Sequence, residues 1–318
     1  MPETLVEYQE GYDSVIVTRD GDELVFWSDF DDNGRSIRTE TRTPLADFVA
    51  KGHGPWPWYD LDSRREGALK VLGALGIEAP PWTEPLPKNV LDLFYRASNG
   101  WAAVSDLVTG GLDVDVLDRC GASPLWYAVR SLQPAAAIAL VEAGADACRR
   151  IDLTARGERF TTILHEMAAL GRATALTRAL ARGAGPMVRD SEGATPLHVL
   201  GEGADHVNPE IVRALIGAGA DVEAQTTGGT RPIEAAARRL LPATVATMLE
   251  LGAQPARALD ALLVWWSSNA RWLGYRASVV VGIVEILCAA GATVSERHLE
   301  LATEADIAPV IAALSRAQ

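Results

Sequence analysis

Carboxylates dominate the residues that could do chemistry in this chain. Asp29-Phe30-Asp31-Asp32-Asn33-Gly34, with Glu40, satisfies a calcium-loop pattern letter by letter. Oxygen ligands would come from Asp29, Asp31, Asn33 and Glu40. The flanks alternate like strands rather than helices, and Ser36 stands where such a loop carries an apolar residue. Asp31-Asp32-Asn33-Gly34 is also a strong hairpin-turn signal, so a turn is the expected reading and a metal site the weaker one. His165-Glu166 lacks the second histidine of a zinc-protease helix, and no GxSxG, GxxxxGK or strand-linked GxGxxG occurs. Cys120, Cys148 and Cys288 are scattered without a CxxC pair, which speaks against a zinc site and a disulfide framework. No reaction and no cofactor is expected, and a reducing, cytoplasmic setting fits the cysteines.

The elements that would position these residues fall into two parts. Residues 1–84 read as a small acidic α+β domain, with strands over 13–18, 23–27 and 36–41 and helices over 44–51 and 65–75. Gly54 to Tyr59, with Trp56, Trp58 and Tyr59, reads as a loop whose aromatics could staple this domain onto the first of the later helices. Pro80, Pro81 and Pro85 mark a linker. The net charge is -13 for 318 residues, and residues 1–84 carry -9 of it (17 Asp/Glu, 8 Lys/Arg). Nucleic-acid binding is disfavoured, because phosphate neutralisation needs a basic surface. The first ten residues lack the basic and apolar regions of a secretory leader, and no charge-free apolar run is long enough to span a membrane. Richness in Arg and Ala suggests a GC-rich bacterial genome.

Residues 85–318 repeat. Asp190-Ser-Glu-Gly-Ala-Thr195-Pro196-Leu197-His198 leads to a helix and then to Leu215-Ile-Gly-Ala-Gly-Ala-Asp-Val222. Asp118 to Trp126, with Ser123 and Pro124, leads to Gly144-Ala-Asp146. Thr162-Ile-Leu-His165 leads to Gly183-Ala184, and Arg231-Pro232-Ile-Glu234 leads to Gly252-Ala253. The closing glycines Gly111, Gly144, Gly183, Gly219, Gly252 and Gly291 are spaced 33, 39, 36, 33 and 39 residues apart. Thr195 sits at a helix N-cap, Pro196 at the first helical position, and Gly219 where a helix ends with φ > 0. One such unit cannot bury enough apolar surface to offset its own ordering entropy, so neighbours must stack.

This pattern resembles the ankyrin repeat, strongly over 116–254 and in degenerate form from 88 to 318. The resemblance implies a mainly α fold: an ankyrin-repeat solenoid of about six helix pairs plus a C-terminal cap, preceded by the small α+β domain. It implies a structural role for Ser123, Pro124, His165, Thr195, Pro196, His198 and Pro232. Trp126 replaces the motif histidine, so a packing difference is expected there.

In ankyrin-like arrays the hairpin tips and first helices form the binding face. That face would carry Arg119, Arg130, Arg159, Arg189, Glu192, Arg238 and Arg239, and an elongated finger spans 149–159. Trp265 and Trp266, near Trp272 and Tyr275, form an aromatic candidate, with at least one of the pair expected in the core. The implied function is a scaffold that binds another protein, with neither nucleic acid nor membrane as partner. Three alternatives stay open: an immunity-type inhibitor blocking a basic enzyme with residues 1–84, self-docking of that domain on the arginines, and an enzyme hidden within it.

Overall fold

In the computed structural model the described residues are 3–10, 13–32, 35–51, 61–80, 84, 86–100, 104–118, 121–153, 159–273, 276–304 and 308–317. The chain divides into two compact units, Met1–Ala145 with Ile151–Phe160, and Asp146–Arg150 with Thr161–Gln318.

The first unit opens with four strands, β1 (Glu3–Glu10), β2 (Asp13–Asp20), β3 (Glu23–Asp32) and β4 (Arg35–Pro44), paired antiparallel in chain order. Alternation sends Val15, Val17, Leu24 and Phe26 to one face, where α1 (Leu45–Lys51) contributes Phe48 and α2 (Leu61–Ala74) contributes Ala68, Val71 and Leu72. The α2 residues sit three and four apart and so share one helical face. Phe26 and Phe48 meet with ring centroids 6.0 Å apart. Every member of this core lies between residues 15 and 72. β1 was not expected: Glu3, Glu7 and Glu10 mask its apolar Leu5 and Val6, which pack against the core.

Helix pairs come next: α3 (Lys88–Asn99) with α4 (Ser105–Thr109), and α5 (Pro124–Arg130) with α6 (Pro134–Glu142). Of the expected finger the two short strands β5 (Arg150–Asp152) and β6 (Phe160–Thr162) are described, and the Leu153 N–H donates to the Arg159 carbonyl at 2.8 Å, while residues 154–158 lie outside the described residues.

The second unit continues with α7 (Ile163–Ala169) and α8 (Ala173–Ala181), then α9 (Asn208–Gly217), α10 (Pro232–Arg238), α11 (Pro242–Glu250), α12 (Ala256–Leu273) and α13 (Ala277–Ala289), and ends with α14 (Glu296–Glu304) and α15 (Ala308–Ala317). First helices pack on first helices, α10 on α12 on α14, and second helices on second helices, α8 on α9 on α11 on α13 on α15. Among the described residues the chain thus holds six pairs and a terminal pair, in line with the sequence pattern.

One first helix departs from expectation. Pro196–His198 forms only a 3₁₀ turn, followed by another over Glu202–Ala204. Between the two turns Gly201 lies close against the preceding repeat: a Cβ there would stand 2.0 Å from the Ala169 carbonyl oxygen. The closing glycines all adopt positive φ, from 89° at Gly111 to 102° at Gly144 and Gly219.

Candidate functional site: the first-helix face of the second unit

Each repeat of the second unit is stitched to a neighbour through one motif position. His165 Nε2 lies 2.9 Å from the Ala194 carbonyl oxygen, and its Nδ1 lies 2.8 Å from Thr162 Oγ1. His198 Nε2 lies 3.1 Å from the Thr230 carbonyl oxygen, while its Nδ1 accepts from the Thr195 N–H at 3.0 Å. A carbonyl can only accept, so Nε2 carries the proton in both rings and Nδ1 is the acceptor. Burial pushes both imidazoles below their ordinary pKa. Asp190 Oδ1 shapes the preceding turn by accepting from Ala194 N at 2.8 Å and Glu192 N at 2.9 Å.

The next repeat changes the chemistry. Glu234 stands in the histidine's place, and its side chain is 5% exposed. Arg257 Nε, from the following repeat, lies 3.1 Å from Oε1 in an ion pair, although its N–H is not aimed to complete a hydrogen bond. Arg238, one turn along α10, lies 3.9 Å from Oε2. Further on, Ser295 and His298 restore the motif spacing: Nδ1 accepts from the Ser295 N–H at 3.1 Å, and Nε2 lies 2.6 Å from Asp260 Oδ1.

These side chains border a groove of about 610 Å³ between α10 and α12. Glu234 lies at its base, Arg238, Arg257 and Asp260 flank it, and Val264 and Trp265 supply apolar surface. A carboxylate sunk beneath two half-exposed guanidiniums fixes where those cations sit, and their outer N–H groups can meet a partner's carboxylate.

An ankyrin-repeat family model matches residues 192–227, the unit that carries Thr195 to His198. The chain carries an ankyrin repeat within an array of the ankyrin fold. The human ASB11 ankyrin repeat domain, a solved structure, is similar in fold, with 23% identity and a TM-score of 0.53, over 71% of this chain and 97% of that one. No curated protein matches the chain.

Within the ankyrin array the remaining sequence candidates take different places. The Arg189 guanidinium donates to the Gly193 carbonyl and, at 2.8 Å, to the Gln225 carbonyl, so it braces two hairpin tips. Arg239 donates to the carbonyls of His198 at 2.7 Å and Leu200 at 3.2 Å. Both are tied to backbone. The Glu192 side chain is exposed at a tip whose carbonyl accepts from Thr227 N at 3.0 Å. In the first unit Arg130 is exposed, with its guanidinium 5.3 Å from the Trp126 ring centroid, the packing change anticipated at that position. Arg159 is exposed, and Arg119, with Trp56, Trp58 and Tyr59, lies outside the described residues.

Trp266 is a correction. It is fully buried and belongs to the core, so of the adjacent pair only Trp265 reaches the surface. Leu259, Leu262, Leu263 and Trp266 form one buried stripe at helical spacing, a signal already present in the sequence. Glu234 and His298 were also missed, although Arg-Pro-Ile-Glu and Ser-Glu-Arg-His keep the offset of Thr-Pro-Leu-His.

The calcium-loop letters lie on a hairpin. Asp29 and Asp31 are in β3, opposite Arg38 and Ser36 of β4, and Asn33 lies outside the described residues. Glu40 is 2.9 Å from Arg42 Nε, and Arg42 also reaches Asp20 at 2.9 Å and Glu23 at 3.3 Å. Among the described residues no group of three His, Cys, Asp or Glu side chains could hold a metal ion, and no helix is long and apolar enough to cross a membrane. Burial raises the pKa of the free thiols Cys148 and Cys288, which disfavours their reactive form.

Proposed function

We propose that this chain is a protein-binding scaffold whose second unit captures a carboxylate-bearing segment of another protein in the groove between α10 and α12. The observation that supports it is Glu234, a buried carboxylate that replaces the motif histidine and holds Arg257 and Arg238 beside a partly exposed Trp265. Aromatic and arginine side chains together are the usual energetic centre of an interface. The chain acts by binding and not by catalysis, in a reducing cytoplasmic compartment that keeps Cys148 and Cys288 as thiols. Residues 1–84 form a domain of their own, a reading supported by a core drawn entirely from within them.

The test is affinity purification from the native host with wild type, Trp265→Ala and the charge reversal Arg238→Glu/Arg257→Glu, at low and high salt. A partner held by wild type and lost from both variants supports the groove, with salt-sensitive retention reporting the charge contact. A partner held equally by all three removes the groove from the reading. No partner with any bait overturns the scaffold itself.

A second reading, an inhibitor that blocks a basic enzyme, draws support from the net charge of -9 in residues 1–84 and from exposed Glu7, Asp20 and Asp22. A partner retained through these carboxylates, and released when they are neutralised, favours it over the groove.

A further inference from the structure

Three junctions of the second unit close with the same bond, made each time by different chemistry. Cys148, Met187 and Glu223 each stand four residues after a closing glycine, Gly144, Gly183 and Gly219. Each side chain accepts a backbone N–H two residues past the closing glycine of the next repeat. Glu223 Oε1 accepts from the Gln254 N–H at 2.8 Å, and its Oε2 lies 3.0 Å from Arg231 Nε. Cys148 Sγ accepts from the Gly185 N–H and Met187 Sδ from the Asp221 N–H, both at 3.2 Å. The position thus serves as an acceptor that joins neighbouring repeats, and sulfur, a weak acceptor, fills it twice.

Sulfur brings a reactivity that a carboxylate at this position lacks. A thioether is oxidised without first losing a proton, whereas a thiol must ionise, and burial opposes that at Cys148. Exposure then singles out one thioether among the described residues. Met167 and Met248 are fully buried, while Met187 is partly exposed. One lone pair of its Sδ faces the Asp221 N–H, and the other is left for an oxidant.

We infer that Met187 is a site of reversible oxidation by hydroperoxides, and that its sulfoxide loosens the junction to the following repeat. The free lone pair of Sδ attacks one oxygen of hydrogen peroxide. An S–O bond forms and the O–O bond breaks. The departing hydroxide takes the proton from the transferred oxygen and leaves as water. Sulfur loses two electrons and the peroxide gains them. In the product sulfur is the positive end of the S–O dipole and a poor acceptor, and 3.2 Å leaves no room for the new oxygen between Sδ and Asp221 N. The Asp221 N–H then loses its sulfur partner. Because repeats are coupled through their neighbours, loss at one junction lowers the stability of the array. The inference does not rest on the α10–α12 groove, which shares no residue with this junction.

The test treats the full chain with hydrogen peroxide and then with dithiothreitol, which returns oxidised thiols. Peptide mass mapping should find one added oxygen on Met187, with Met167 and Met248 unmodified. Urea unfolding should show the folded-to-unfolded ratio reduced about two- to tenfold, the weight of one hydrogen bond, and methionine sulfoxide reductase should restore it. Deuterium exchange at the Asp221 N–H should quicken with the same treatment. Met187→Leu keeps the volume but neither accepts nor oxidises, so it should start near the oxidised wild type and ignore peroxide. Met187→Gln supplies an oxygen acceptor and should hold the stability of the untreated wild type throughout. Resistance of Met187 to peroxide, its oxidation without a change in unfolding, or an equal peroxide effect in Met187→Leu each overturns the inference.

Discussion

Acidification tests the histidine stitches most directly. His165 and His198 are buried, and loss of hydration is the main cause that lowers their proton affinity, ahead of the opposing hydrogen bonds to Ala194 and Thr230. A second proton would go to Nδ1; in His198 this nitrogen accepts from the Thr195 N–H, so charging that ring also breaks a hydrogen bond, whereas the Thr162 hydroxyl beside His165 can turn to accept. In the unfolded chain both imidazoles protonate near the ordinary value of 6.5. In the folded chain they do so only at lower pH. Between these two points the unfolded state holds more protons, so stability falls as pH drops below about 6.5 and is flat above it with respect to these groups. Each ring contributes a slope of at most about 1.4 kcal/mol per pH unit, and the two together about 2.7. Urea unfolding followed by circular dichroism from about pH 8 to about pH 5 measures this slope, before most carboxylates titrate. The double variant His165→Gln/His198→Gln should flatten the curve over that window. A wild-type profile without slope, or a slope unchanged in the double variant, would refute the reasoning.

The packing gives three further expected outcomes. Gly201→Ala should lower stability by about 1–3 kcal/mol or more, because its Cβ would collide with the Ala169 carbonyl oxygen at 2.0 Å; an unchanged melting temperature would show that the 3₁₀ segment yields freely. Asp205 Oδ1 accepts from the Thr244 hydroxyl at 2.7 Å and its N–H at 3.1 Å, so Asp205→Ala should cost about 1–2 kcal/mol in urea titration, with Asp205→Asn recovering part of it. Trp266→Ala should cost about 3–5 kcal/mol by emptying a core position, whereas Trp265→Ala should change stability little; equal losses would contradict the inward and outward assignment on α12.

The sequence conveyed the array through residues whose roles are local. The closing glycines, the Thr195 cap and the turn carboxylates Asp118 and Asp190 act within a few residues of themselves, so spacing alone exposes them. The candidate site was harder to read because its geometry comes from pairs far apart in the chain. Glu234 finds Arg257 in the next repeat, and His298 reaches back to Asp260. Arg189 and Arg239 looked like a docking face because nothing in the local sequence reveals that carbonyls of adjacent repeats occupy them. The 3₁₀ segment after Thr195 was read as a helix because its Pro-Leu-His opening is shared with helical repeats, while the constraint on Gly201 comes from a neighbour more than thirty residues away.

The junction chemistry of the second unit also sets a grammar for module order. The repeats whose motifs end in His165 and His198 ask their successors only for a backbone carbonyl, which every sequence offers, so these two can be followed by almost any other. The repeat carrying Glu234 asks for a specific cation and receives it from Arg257. Transplanted in front of a repeat without that arginine, it would leave a charge stranded in the interface. Grafting and shuffling should therefore be tolerated at the His165 and His198 junctions and fail at this one unless both partners travel together.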